Sequence, residues 1–474
     1  MRQNWKSIVT TPEKAFVIIS LISGILFLLI TPPFQAADEY QHFYRSFQVA
    51  QGSFISEKKI ADCHGRLLYT PAAICVGGML PKSVLTTAQQ ASSVDLRFQP
   101  KNKQNVQDIL SLLNLPLKRQ DRIFVRFPNA ALYSPIPYLP QALGMAFGQL
   151  LGGSPIIIFY LGRAVNLFVW VGLIYLAIKI TPIYKWLLFL LALTPMQLFQ
   201  AASLSADAFT NAASFLLAAI FFQMAFEPAQ HIKFIKIISI ASLSILIGLS
   251  KTAYFPLNLL YLLIPIKKLG SVTKYFLGFF GINLLTLIAL LTWSSLIKDL
   301  YIPLRPATDN VVLSEQVNYI LNQPMQFILT QINTFSTYGL NYLEQLIGKL
   351  GWLDTSLPKF HIISYIILLV TVALVSHKSD IKISLFQKTI ALIIILLTGL
   401  LITTAMYLAW TPVGAGLIEG VQGRYFIPLT PLFFLLLYNQ KIKINLKIPI
   451  STLTGYALFS CTLTAAILLK RYYL

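Results

Sequence analysis

Apolar residues in this chain come in blocks, and polar residues fill the gaps between them. The blocks run 15–31, 155–178, 186–203, 207–226, 235–250, 253–266, 275–297, 361–376, 387–409, 425–438 and 448–469. Most approach the 17–25 residues that a helix needs to cross about 30 Å of hydrocarbon. The pattern predicts an all-α integral membrane protein, a polytopic bundle of about eleven spans. A further block, 134–151, is broken by Pro135, Pro137 and Pro140 and reads as an interfacial or re-entrant helix. The first block ends in Thr31-Pro32-Pro33, not in a small-residue cleavage site, so it reads as a retained first helix. Two long segments lack this patterning, 32–133 and 298–360. The second contains amphipathic stretches, such as 314–347, suited to a membrane surface. With no internal repeat, the chain reads as a single membrane domain, 1–474, carrying two external insertions.

The lysines and arginines give the orientation. If the N-terminus, with Arg2, Lys6 and Lys14, is cytoplasmic, alternation puts five further basic groups on that side. These are Lys179/Lys185, Lys233/Lys236, Lys267/Lys268/Lys274, Lys378/Lys382/Lys388 and Lys441/Lys443/Lys447. The opposite short loops, near 204–206, 250–252 and 410–424, carry only Lys251 and Arg424. The asymmetry requires that 134–151 make no net crossing, and it leaves the C-terminus outside. Of the 17 acidic residues, only Glu13, Glu227 and Asp380 then face inward. Candidate chemistry concentrates on the outer face of a multi-pass membrane protein.

Composition sharpens this. The 474 residues are 56% hydrophobic and 11% charged, with a mean hydropathy of +0.68. A soluble domain carries about 25% charged residues, so an ordinary soluble enzyme is excluded. A net charge of +20 would suggest nucleic acid in a soluble protein. Here the basic runs sit between apolar blocks, so the expected partner is the lipid bilayer and no nucleic acid. Three cysteines exclude a disulfide scaffold, a Cys-rich zinc site and an iron–sulfur cluster. Cys63 and Cys75 share the first insertion and can pair in an oxidising compartment, a pairing the sequence leaves open. Cys461 lies within a span and reads as packing. His64, His231, His361 and His377 show no metal-ligand spacing, and no Gly-rich phosphate loop or GxSxG elbow is present.

The densest polar cluster follows the first span, in Pro32-Pro33-Phe34-Gln35-Ala36-Ala37-Asp38-Glu39-Tyr40-Gln41-His42-Phe43-Tyr44-Arg45. The prolines stop one helix, and a second is predicted from Asp38 to Gln51 with Gly52 as its stop. Asp38, His42 and Arg45 then share a face, offering a base, a relay and an anion clamp. The plain alternative is an N-cap at Asp38 on an ordinary interfacial helix. Asp207 opens a later span, where the alternative is again an N-cap. Lys251 is a lone base at a tight turn, which either holds a lipid phosphate or snorkels to the interface. Asp354, in Gly351-Trp352-Leu353-Asp354-Thr355, either serves the site or caps a turn. In Glu419-Gly420-Val421-Gln422-Gly423-Arg424-Tyr425-Phe426 the glycines permit close backbone approach, and Arg424 offers a fork suited to phosphate. The alternative is an interfacial Arg–Tyr anchor.

These motifs, with YSPIPYLPQALG from Tyr133, FYLGRAVN from Phe159, SADAF around Asp207, GLSKTAYFPL from Gly248, GWLDTSLP from Gly351 and GVQGRYFIPL from Gly420, span nearly the whole chain in order. On them the chain resembles the domain-of-unknown-function family 2142 of bacterial polytopic membrane proteins. That family is in turn similar to the GT-C superfamily of integral-membrane glycosyltransferases. The resemblance implies a GT-C-like bundle that takes a sugar from a polyprenyl-phosphate donor and passes it, with inversion, to an envelope glycan acceptor. It implies that Asp38, with Glu39 beside it, is the acidic residue after the first helix, and that Asp207 is a second acid in a later loop. Lys251 is similar in place to a carrier-binding lysine, with Thr252-Ala253 following where that pattern has Gly. In this reading Asp38, Glu39 and His42 are catalytic. Arg45, Lys251, Arg424, Gln422 and Asp354 bind lipid phosphate or substrate, and the resemblance leaves open a divalent cation cofactor between Asp38 and Asp207. The competing readings are a transporter or flippase for polyprenyl-linked glycans and a non-catalytic assembly factor.

Overall fold

The computed structural model describes residues 11–60, 63–64, 74–228, 232–375, 381–439 and 448–474. Arg2, Lys6, His231, His377, Lys378, Asp380, Lys441, Lys443 and Lys447, used above for orientation and site searching, lie outside the described residues.

Each apolar block folds as a helix or a broken helix. Among the described residues six helices are long and apolar enough to cross a membrane: α1 (Pro12–Ile30), α5 (Pro155–Ile180), α8 (Ala206–Phe226), α10 (Val272–Ile297, continuing to Leu300), α14 (Leu385–Ala409) and α16 (Ile450–Tyr472). Three of the other blocks fold differently from the plain helices expected. Block 186–203 breaks into α6 (Lys185–Ala192) and α7 (Pro195–Ala201), because Pro195 supplies no N–H to continue the first helix. Block 253–266 winds as a 3₁₀ helix over Thr252–Leu263. At about 2.0 Å per residue its 12 residues extend about 24 Å, where an α-helix would reach about 18 Å. Block 425–438 likewise begins as a 3₁₀ stretch, Gly423–Leu429, and continues as α15 (Thr430–Leu437). Shorter helices α9 (Phe234–Ser250) and α13 (Lys359–Val375) complete the set.

Burial follows composition. The alanine-rich α8 is the central helix, with 83% of its apolar window buried, whereas α10, rich in leucine and phenylalanine, has 17%. Small residues let neighbours close around α8. An exposed apolar helix like α10 is stable where its solvent is lipid.

The 32–133 segment departs from an all-α expectation. It holds α2 (Glu39–Ala50) and α3 (Lys82–Gln90) around a three-stranded antiparallel sheet, β1 (Glu57–Ile60), β2 (Ile74–Pro81) and β3 (Arg122–Arg126), in order β1-β2-β3. Gly77 on β2 leaves no room for a Cβ, which would meet the Val125 carbonyl at 1.9 Å. Cys63 and Cys75 are paired as a disulfide with Cα atoms 6.0 Å apart. The apolar side chains of this segment form a second core under α2, distinct from the core of the bundle. The 134–151 block is a 3₁₀ turn and a 12-residue helix, α4 (Leu139–Leu150), about 18 Å long and too short to cross. Gln141 on it donates to the Ser205 carbonyl at the start of α8, and Arg119 of the inserted segment donates to the Gln149 carbonyl, which ties both ends of α4 to the same end of the molecule.

The 298–360 segment contains α11 (Leu313–Asn322), the amphipathic α12 (Pro324–Gly348), and a hairpin of β4 (Lys349–Leu350) with β5 (Thr355–Ser356). One stripe of α12 leaves Met325, Ile328, Ile332 and Leu340 exposed. The last helix, α16, ends against the first insertion, where Gln104 N donates to the Tyr472 carbonyl at 2.7 Å. The end of α1, the start of α8, the end of α9 and the end of α16 therefore share one end of the molecule. Lysines gather at the other end and tie off helix C-termini there. Lys268 donates to the Met224 and Glu227 carbonyls at the end of α8, and Lys388 to the Leu436 and Tyr438 carbonyls at the end of α15.

Candidate functional site

Asp38 sits at the N-cap position of α2, but its backbone is left-handed (φ 59°) and its side chain makes no cap hydrogen bond. The carboxylate turns instead toward a group of charges from distant parts of the chain. Asp207 is also not a cap. Ser205 caps α8 by accepting from Asp207 N at 3.2 Å, which leaves the Asp207 carboxylate in the first turn for other work. Lys251, just past α9, does not snorkel outward. Its Nζ lies 2.5 Å from Asp207 Oδ1 and 4.6 Å from the centre of the Tyr425 ring. Gln200 Nε2 donates to Asp207 Oδ2 at 3.2 Å.

Arg424 stands between the two acids. Its Nη2 is 3.9 Å from Asp38 Oδ2 and its Nε is 3.7 Å from Asp207 Oδ2. Both distances exceed hydrogen-bond length, and the enclosed Nε makes no hydrogen bond. The fork is held at a remove from both carboxylates. Its position is fixed by Gly423, whose N donates to Gln345 Oε1 at 2.7 Å and where an added Cβ would meet the Tyr342 carbonyl at 1.9 Å. Only glycine lets the segment carrying Arg424 press so closely on α12. The neighbouring Gln422 has a buried Oε1 with no hydrogen-bond partner.

The electrostatics set the Asp38 carboxylate apart. Although 31% of the side chain is exposed, burial among protein atoms pushes its pKa above the usual carboxylate range, against the opposing pull of Arg424. Burial pushes His42 down to about 3, so the imidazole is neutral, with Nδ1 2.9 Å from the Tyr138 hydroxyl.

The other sequence candidates lie elsewhere. Glu39 is fully buried and holds Arg163 of α5 through bonds of 2.6 and 2.8 Å, while accepting from Leu204 N. Arg163 also donates to the Leu28, Thr31 and Pro32 carbonyls at the end of α1. This knot fixes the backbone on both sides of the site, but Glu39 does not enter the cavity. Arg45 is fully buried and donates to Gln48 Oε1 and to the Phe54 and Tyr133 carbonyls, so it does not join the anion clamp expected of it. Asp354 accepts from Phe98 N and from Arg471 at 3.0 Å, clasping the β4–β5 turn to the first insertion and to α16. A divalent ion between Asp38 and Asp207 does not suit this arrangement. Two cations already occupy that ground, and both oxygens of Asp207 have partners. Among the described residues no group of three or more His, Cys, Asp or Glu side chains converges.

Arg163 and Gln200 were not picked out from sequence. Arg163 carried a usable signal: a charge eight residues inside an apolar span calls for a buried partner. Gln200 carried none beyond being polar near a span end.

These observations define a helical membrane protein with a solvent-reached cluster of two carboxylates and two cations at one end of its bundle. The family model described as "Predicted membrane protein (DUF2142)" matches residues 21–433, and the chain belongs to that family. No curated protein and no solved structure matches the chain.

Proposed function

We propose that the protein is an integral-membrane glycosyltransferase of GT-C type, moving a sugar from a polyprenyl-phosphate carrier to a cell-envelope glycan or another acceptor at the outer face. The observation that carries this reading is the stand-off of Arg424, 3.7 and 3.9 Å from two carboxylates with no closer bond to either. A guanidinium so placed can close on a phosphate oxygen without first breaking a strong ion pair.

In this reading an acceptor hydroxyl attacks the anomeric carbon, the carbon–oxygen bond to phosphate breaks, and polyprenyl phosphate leaves. Asp38 takes the hydroxyl proton; its burial gives a carboxylate better matched to that task than a solvated one. Arg424 and Lys251 offset the charge growing on the leaving phosphate. His42, neutral and fixed by Tyr138, orients neighbouring groups and does not act as a cation. Eleven crossings with the N-terminus cytoplasmic fit the lysine-rich end to the inside. The disulfide in the inserted segment fits the opposite end to an oxidising exterior. The transporter reading asks for ionisable residues along a path through the bundle. Arg163, the charge set within a long span, is sealed at 0% exposure by Glu39.

The test is envelope glycan mass spectrometry on cells lacking the gene and complemented with wild type or Asp38→Asn. A one-sugar mass loss restored only by wild type supports transfer. Identical glycans in all three strains overturn it.

A further inference from the structure

A pocket that carries neither Lys251 nor Arg424 lies beside the Asp38 segment, with Gln35 and Tyr40 of that segment in its wall. Gln35, Tyr40, Gln89, Asp95 and Arg97 line it, with Phe34 beneath. Three features mark it as built to receive something. First, Gln35 is only 6% exposed, yet its carboxamide makes no hydrogen bond with any described residue. The amide atoms are not sealed off and open onto the pocket, where water or a ligand can pair them. Second, backbone strain gathers around this pocket. Phe34, Asp38, Phe98 and Leu353 have φ between 57° and 66°, and are four of the six non-glycine residues with left-handed backbone among those described. Trp352 links them: its Nε1 donates to the Phe34 carbonyl at 3.3 Å, and its ring stacks on Tyr40 and meets the edge of Phe98. Strained residues are costly and persist where function needs the geometry. Third, Arg97 is neutralised by Asp95 through two bonds of 3.2 Å and lies over the Trp352 ring. The pocket thus offers planar donors and acceptors with no net charge, unlike a phosphate site.

We propose that this pocket is the acceptor subsite: it holds the end of a neutral, polyhydroxylated saccharide and presents one hydroxyl to Asp38. Gln35, Arg97 and Asp95 suit vicinal hydroxyls, and Tyr40 with Phe34 suits the C–H face of a pyranose ring. The inference rests on the glycosyltransferase reading for the fate of that hydroxyl, but saccharide binding is testable without it.

The probe is a set of neutral oligosaccharides made by partial acid hydrolysis of the host's envelope polysaccharide, added to purified full-length protein in detergent. Saturation-transfer NMR gives the affinity for wild type, Gln35→Ala, Arg97→Ala and the rim-filling Gln89→Trp, with thermal unfolding confirming that each variant is folded. The expected result is binding by wild type, weakened about tenfold or more in Gln35→Ala and Gln89→Trp, and not competed by farnesyl phosphate. Absence of binding, equal binding by all variants, or displacement by farnesyl phosphate alone overturns the acceptor assignment. Binding with the expected losses but no sugar transfer by the same preparation keeps the saccharide site and removes the enzyme reading.

Discussion

Asp38 is held in a left-handed backbone with no cap bond, one side chain away from Arg424. A carboxylate whose pKa is raised by burial has two separable consequences. The folded protein binds the Asp38 proton more tightly than the unfolded chain does, so ionisation at neutral pH lowers stability. Asp38→Asn is therefore expected to leave the thermal midpoint at pH 7.5 unchanged or raised, while transfer falls about 10²–10⁴-fold. A variant that both unfolds and loses activity would assign Asp38 to structure. The same shift places an acid limb on the rate. Transfer declines as pH falls through the raised Asp38 value, and the limb survives in His42→Gln because that imidazole, at about 3, is already neutral. A limb abolished by the His42 change would contradict this. Arg424→Lys keeps the charge and loses the fork, and is expected to weaken lipid-phosphate binding about tenfold or more, measured by titration with polyprenyl phosphate.

At the scale of elements, the site depends on two close fits. Glu39 and Arg163 form a fully buried pair that joins the end of α1, α2 and α5. Removing one partner leaves a buried charge, so Arg163→Met is expected to cost about 3–5 kcal/mol in unfolding free energy. Adding Glu39→Gln to it should recover part of that loss, as read by a double-mutant cycle. Gly423→Ala would drive a methyl into the Tyr342 carbonyl, and the strain of about 1–3 kcal/mol should appear as a lower thermal midpoint together with weaker phosphate binding. Much of the element pattern was legible because lipid demands apolar blocks, and all eleven blocks are helical. Which blocks would break or wind as 3₁₀ was less so: Pro195 and Pro256 mark the places, but a proline alone does not say whether a helix stops, kinks or tightens. The small sheet was missed because its strands are 4, 8 and 5 residues long, and the longest carries two adjacent glycines.

At the scale of the whole molecule, the sequence grouped Asp38, Asp207, Lys251 and Arg424 by their places at span ends, and the structure brings them together. It could not tell that Glu39, Arg45 and Asp354 are taken up by buried partners, since Arg163, the Tyr133 carbonyl and Arg471 are 124, 88 and 117 residues away. Sidedness has its own test. In a Cys461→Ser background, Ser93→Cys in the insertion is expected to react with a membrane-impermeant maleimide on intact cells. Lys267→Cys, at the lysine-rich end, should react only after lysis.

The reaction proposed for this cluster is transfer of a sugar from a lipid phosphate. Purified protein in liposomes, given a radiolabelled hexose on polyprenyl phosphate and an acceptor glycan, tests it directly. The account predicts labelled glycan and free polyprenyl phosphate in equal amounts from wild type, and at least a hundredfold less of both from Asp38→Asn. Equal product from the two proteins, or passage of the intact lipid-linked sugar across the bilayer with no cleavage, would contradict it.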